Sequence, residues 1–296
     1  MGGGVNGAFG RAELHALYDR LGIPGVVDAH CHFMPQPLQE KVWEWFDEQA
    51  PVPWPITYRG DEQQRRRWLE ELGVVRYTSL NYAHKPGMAA QLNAFTLGLL
   101  DRDPKVLGTG TFYPEPSAAE DVAGMLQDPR VKGFKLHLQV SGFHPDDPLL
   151  HPCYEQIQDA GKVLILHAGS APMAGRHTNT EAVGAMLERF PRLKVIIAHL
   201  GAHETEHYLE LASKRVGTYL DTAMVFVDFG AVPPISSEAK ARLARLQDRI
   251  LFGSDYPSIP YPYEHQVEGL VRLRMGDGWM KAVLRENAMR LFGGQG

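Results

Sequence analysis

The chain has 296 residues, 44% of them apolar and 22% charged, with a formal net charge of −5. That balance is ordinary for a globular protein with a real core. It gives no reason to expect nucleic acid or an anionic membrane as partner. No run of about 18 apolar residues predicts a membrane-spanning helix, and two cysteines, Cys31 and Cys153, exclude a disulfide framework and fit a reducing cytoplasm, the expected location.

In chain order, residues 1–10 lack the basic-then-apolar pattern of a signal peptide and are expected to form a flexible tail on a single domain spanning 1–296. Gly25–His30 reads as a first strand, closing in Asp28-Ala29-His30-Cys31-His32. A long insertion follows, roughly Phe33 to Gly60, carrying Trp43, Trp45, Phe46, Trp54 and Tyr58; its aromatic density suits either a lid or a satellite cluster against the main body. A helix is predicted over Asp61–Leu72, a strand over Val74–Leu80, a helix over Gly87–Arg102 and strands over Val106–Phe112 and Val131–His137. Then come strand Val163–His167, helix Asn179–Phe190, strands Lys194–His199 and Val216–Asp221, helix Ser237–Leu246 and strand Ile250–Asp255. The Pro- and Tyr-rich stretch Tyr256–Tyr263 closes this series. Strands alternating with helices imply βαβ units and a parallel sheet. Eight of them in one domain predict an α/β protein of the (β/α)8 TIM-barrel class, with an insertion after strand one. An open doubly wound sheet is disfavoured, because no G-x-G-x-x-G follows a strand.

Barrel active sites form at the C-terminal strand ends, so polar residues closing apolar strands carry information. His30 and His32 end strand one, Lys135 and His137 strand four, His167 strand five, His199 strand six and Asp255 strand eight. Residues two apart on a strand share a face, so His30 and His32 can point at one ion. A lone strand-end histidine is most often structural; the set, however, suits zinc and related divalent metals. Cys31, between the two histidines, faces the other way and reads as a packed small residue. His203-Glu204-Thr205-Glu206-His207 matches H-E-x-x-H, but Glu210 stands where the extended zincin pattern needs glycine. That segment reads as a solvated helix start.

The segments VVDAHCHF, LILHAGSA, VIIAHLGA and ILFGSDYP, in this order, resemble the signatures of the amidohydrolase superfamily. The most similar branch is the "amidohydrolase 2" group, which holds metal-dependent hydrolases and aminocarboxymuconate-semialdehyde decarboxylase-like enzymes. The resemblance runs from Val26 to the closing NAMRLFG. It implies His30, His32, His167 and Asp255 as metal ligands. His199 then corresponds to a histidine that is catalytic in mononuclear members and ligates a second metal in binuclear ones. Lys135 stands where binuclear relatives carry a carboxylated lysine; the reading adopted here is an uncarboxylated Lys135 and one divalent metal, zinc, with manganese or a second metal left open. The implied reaction is hydrolysis of a small ester, lactone or amide, with Asp255 and His199 catalytic and Lys135, His137, Arg176 and His177 binding substrate. Non-oxidative decarboxylation of a small unsaturated or aromatic acid is the alternative, because His32-Phe33-Met34-Pro35 resembles the H-F-x-P opening of the decarboxylase-like branch. The expected partner is a small-molecule substrate, with neither nucleic acid nor membrane; a homodimer is compatible with the sequence.

Overall fold

A computed structural model of the chain describes residues 9–50, 52–178, 180–229 and 235–293. Eight strands run β1 (Val26–Asp28), β2 (Val74–Thr78), β3 (Val106–Thr111), β4 (Val131–His137), β5 (Val163–His167), β6 (Lys194–Ile197), β7 (Thr218–Asp221) and β8 (Ile250–Leu251). Each pairs in parallel with the next, giving one sheet in the order of the sequence. The helices are α1 (Arg11–Leu21), α2 (Gln36–Gln49), α3 (Glu62–Glu71), α4 (Ala89–Arg102), α5 (Ala118–Leu126), α6 (Leu138–Ser141) and α7 (His151–Asp159). They continue with α8 (Thr180–Arg189), α9 (Thr205–Lys214), α10 (Ser237–Arg245), α11 (Glu264–Arg272), α12 (Asp277–Lys281) and α13 (Asn287–Phe292). The predicted (β/α)8 barrel is the observed fold. Among the described residues no helix is long and apolar enough to cross a membrane.

Strand periodicity sorts the core into two clusters. Val27, Val163, Ile165, Ile196 and Leu251 pack with one another inside the barrel. Their chain neighbours Val26, Leu164, Leu166, Val195, Ile197 and Ile250 pack outward against helix residues such as Leu14, Val183 and Leu243. A strand buried on both faces reads as a continuous apolar run, which is why these strands were legible.

Four departures from the sequence reading matter. Strand β1 stops at Asp28, β6 at Ile197 and β8 at Leu251, so His30, His199 and Asp255 lie beyond the ladder rather than in it. His199 and Asp255 adopt left-handed backbone, with φ of 56° and 66°, which a β-strand cannot contain. Phe9 and Gly10, expected in the tail, belong to the body: Phe9 packs on the core and the Gly10 N–H bonds Glu13 Oε2 at 3.0 Å at the start of α1. The rest of that tail, 1–8, and Asn179, expected to open α8, lie outside the described residues.

The insertion after β1 contains α2 and packs as a satellite cluster. Trp43, Trp54 and Ile56 gather Phe46 and reach Met224 and Phe229 in the segment after β7. Trp54 stacks on Phe46 at 5.0 Å, meets Phe229 edge-on at 4.9 Å, and donates its indole N–H to the Ser258 carbonyl at 2.7 Å. The insertion is thereby fastened to the loops after β7 and β8.

Candidate metal centre

Past Asp28 the chain pairs irregularly with the stretch after β8. The Ala29 N–H donates to the Phe252 carbonyl at 2.9 Å, Asp255 N–H to the His30 carbonyl at 2.8 Å, and His32 N–H to the Tyr256 carbonyl at 2.7 Å. These bonds join the first and last strand segments of the barrel. They also set His30, His32 and Asp255 side by side. The Nε2 of His32 lies 2.9 Å from Asp255 Oδ1, and that of His30 lies 3.5 Å from the same oxygen.

The other nitrogen of each ring is committed. His32 Nδ1 donates to the Leu80 carbonyl at 2.7 Å, and His30 Nδ1 bonds Asp221 Oδ2 at 2.8 Å. His199 Nδ1 donates to the Ala223 carbonyl at 2.9 Å. A carbonyl accepts only, so the Nε2 of a neutral His32 carries a lone pair. Facing a carboxylate oxygen at 2.9 Å, that lone pair is repelled unless a proton or a metal ion lies between them. Donor type and outer-shell anchoring thus fit a divalent metal held by His30, His32 and Asp255. The candidate ligand atoms of these three lie within 4.8 Å of one another, as do those of His30, His199 and Asp221.

Of the four ligands expected from sequence, His167 stands outside both groups. Register pairs it with His137, on which it stacks at 3.9 Å, while its Nε2 donates to the Ala171 carbonyl at 3.1 Å. Its ring lies 4.9 Å from His199, which in turn lies 4.7 Å from His30. With His32 5.1 Å further on, five imidazoles form one continuous row. Burial above all, then His199 and Lys135, holds the His167 imidazole well below its ordinary pKa; it is neutral, as a ligand must be. Burial likewise lowers His30, to about 4, against the opposing pull of Asp221.

Burial works to raise the pKa of Asp255, but the His32 bond and the nearby His30 and His199 outweigh it and leave it well below the usual range. Lys135 is fully buried, and its Nζ has no hydrogen-bond partner among the described residues. Burial pushes its pKa down to about 8, against the attraction of Asp221 and Asp255. Of the remaining expected contacts, His137 accepts a long 3.4 Å bond from Val140 N–H. Arg176 is exposed, and His177 packs on His144 at 5.6 Å. The structure does not join Arg176 and His177 to the histidine row.

Sequence reasoning passed over Asp221 and Tyr82. Asp221 is fully buried; besides the His30 ring it accepts the His199 N–H at 2.9 Å and the Ala223 N–H at 3.1 Å. Its signal was present, since it closes a strand just as His167 does. Tyr82 packs on His137 at 4.8 Å and edge-on to His32 at 6.0 Å; it follows β2 in a stretch with no motif, and nothing in the sequence marked it. The H-E-x-x-H segment is structural. His203 is exposed and precedes α9, while Glu204 accepts from Ser170 N–H at 2.9 Å and Ser170 Oγ–H at 2.6 Å.

Residues 27–294 match the sequence family described as Amidohydrolase. No curated protein matches the chain. Among solved structures, the chain is similar to 5-carboxyvanillate decarboxylase from Sphingomonas paucimobilis, at 17% identity and TM-score 0.64, over 92% of this chain and 100% of that one. It is similar to a probable 2-pyrone-4,6-dicarboxylic acid hydrolase from Acinetobacter baumannii, at 14% identity and TM-score 0.61, over 91% and 99%. A manganese complex of 5-carboxyvanillate decarboxylase from Novosphingobium aromaticivorans shows 12% identity and TM-score 0.62, over 90% and 96%. These likenesses are of fold.

Proposed function

The chain belongs to the amidohydrolase family, and from that premise we propose that it is a metal-dependent hydrolase of a small carboxylate-bearing ester, lactone or amide. His30, His32 and Asp255 would hold the metal, with His167 as the fourth ligand once its ring leaves the Ala171 carbonyl; zinc is the ion proposed. When bound, the metal supplies Lewis acidity, making water acidic near neutral pH and stabilising developing negative charge. The residues do the rest. Asp255, ionised, accepts the proton of the attacking water and returns it to the leaving group. His199 has Nδ1 fixed on the Ala223 carbonyl, so its Nε2 is the nitrogen that meets substrate. Lys135 offers a buried, unpartnered Nζ to the substrate carboxylate. His137 lines the same wall, and Arg176 and His177 meet the outer end of the substrate.

The observation that carries this reading is the carboxylate of Asp255 set against the Nε2 atoms of His30 and His32, which places a proton acceptor beside the proposed metal. Decarboxylation is the second reading, supported by His32-Phe33-Met34-Pro35 and by the similarity of the fold to that of 5-carboxyvanillate decarboxylases. Metal-loaded protein assayed on carboxylated lactones, esters, amides and aromatic acids decides between them. Hydrolysis gives product without carbon dioxide; trapped carbon dioxide establishes the second reading. Asp255→Asn should retain the fold by circular dichroism and lose more than the ~10²–10⁴-fold typical of an acid–base group, since a ligand is also altered. Near-normal kcat would end that assignment.

A further inference from the structure

A second set of polar groups lies between α2 and α3, outside the metal centre. The Arg65 guanidinium is fully buried between the rings of Phe33, at 5.5 Å, and Trp43, at 5.4 Å. Its Nη2 donates to Gln36 Oε1 at 3.3 Å, while Nε and Nη1 have no partner among the described residues. Gln36, Gln39 and Trp43 recur at helical spacing and share one face of α2. Gln39 is fully buried with neither amide atom bonded, and the buried Trp43 indole N–H is also unbonded. The neighbouring acids are engaged elsewhere: Glu40 with Gln36 Nε2, Asp61 with the Gln64 N–H, and Glu62 with Arg102.

Unpaired donors here are Arg65 Nε and Nη1, the Gln39 amide and the Trp43 indole; the unpaired acceptor among these residues is Gln39 Oε1. A buried cation without a counter-ion is strongly disfavoured, and aromatic faces compensate it in part. Water brings donors and acceptors in equal number, so it leaves both the charge and the donor excess in place. An anion removes both. We propose that α2 and α3 enclose a binding site for a small monovalent anion, a halide or a carboxylate the size of formate or bicarbonate, held by Arg65, Gln39 and Trp43. Phe33 follows His32 in the chain, and Tyr256, which follows Asp255, donates its hydroxyl to the Arg65 carbonyl at 2.9 Å. A filled site therefore braces the two segments that carry the metal ligands.

Bromide is the probe. Crystals of metal-loaded protein soaked in sodium bromide should show an anomalous peak within hydrogen-bonding distance of Arg65 and Gln39. In solution, the melting temperature should rise with the logarithm of bromide when gluconate, too large to enter, holds ionic strength constant. Parallel titrations with formate and bicarbonate separate a halide site from a carboxylate site. Arg65→Met should abolish the rise, whereas Lys85→Met, at an exposed position, should leave it unchanged. Gln39→Leu should require roughly tenfold more bromide, the loss of one charge-assisted hydrogen bond; with the wild-type crystals it decides the matter if Arg65→Met fails to fold. A bromide peak with no melting response is an adventitious ion only, and overturns the proposal. So do ordered water at this position without bromide and a melting temperature indifferent to all three anions.

Discussion

At the scale of single residues, ligand and anchor can be told apart by what each removes. His30→Ala with His32→Ala should abolish stoichiometric metal by mass spectrometry, while His203→Ala with His207→Ala should retain it; the opposite pattern would restore the zincin reading. Asp221→Asn keeps every proposed ligand but loses the carboxylate that orients the His30 ring. Metal affinity should fall about 10–100-fold, as for other outer-shell partners, and an unchanged chelator-competition curve would remove Asp221 from the site. Lys135 gives a prediction in pH. Its folded pKa, about 8, lies below the ordinary lysine value of 10.5, so between those values the unfolded chain holds a proton that the folded chain has released. Stability of metal-free protein should therefore rise with pH across that window, at up to about 1.4 kcal/mol per unit. Lys135→Met should flatten the slope, keep its metal, and chiefly raise KM through loss of a carboxylate contact. A slope identical in both proteins would mean that Lys135 does not titrate there.

Among elements, the strand segments depend on how closely β8 approaches β1 and β7. A Cβ added to Gly253 would fall 2.7 Å from the His30 Cβ and 3.4 Å from the Cβ atoms of Ala223 and Asp221. Those atoms belong to main-chain-fixed positions and cannot swing away as the tip of a flexible side chain can. Gly253→Ala should therefore push His30 off Asp221 and weaken metal binding by about 10–100-fold, the range for a disturbed outer shell, without altering any ligand. Isothermal titration with zinc checks it, and wild-type affinity would show that the β8 segment has slack.

For the whole molecule, the centre lies where the barrel closes on itself. The bonds from Ala29, His32 and Asp255 N–H join the first and last strand segments, and His30, His32 and Asp255 face one another across that join. A metal bound there ties chain ends more than 200 residues apart (His30 to Asp255), and a ligand that binds only the native state stabilises it by about 2.7 kcal/mol at 100 times its Kd. Chelation should accordingly raise hydrogen exchange first at the Ala29, His32 and Asp255 amides, with β3 to β5 still protected. Uniform loss of protection across the sheet would show that the join is not a separate unit.

The barrel was legible because alternating apolar strands and amphipathic helices are local patterns, written within ten or so residues. The histidines at strand ends were legible for the same reason: a polar residue closing an apolar run stands out. Asp221 carried that signal too, but its partners His30 and His199 come from other strands, so its importance appears only once the barrel is closed. Tyr82 and the buried Arg65 cluster carried no local signal at all. Arg65 sits in a predicted helix and Gln39 in the aromatic insertion, and nothing local in either segment marks their burial. What the sequence determined is the set of side chains offered at the rim. Which nitrogen of His32 remains free was decided by tertiary structure, because a carbonyl 48 residues away, at Leu80, claims the other; in His167 the nearby Ala171 carbonyl does so, through the course of the loop after β5.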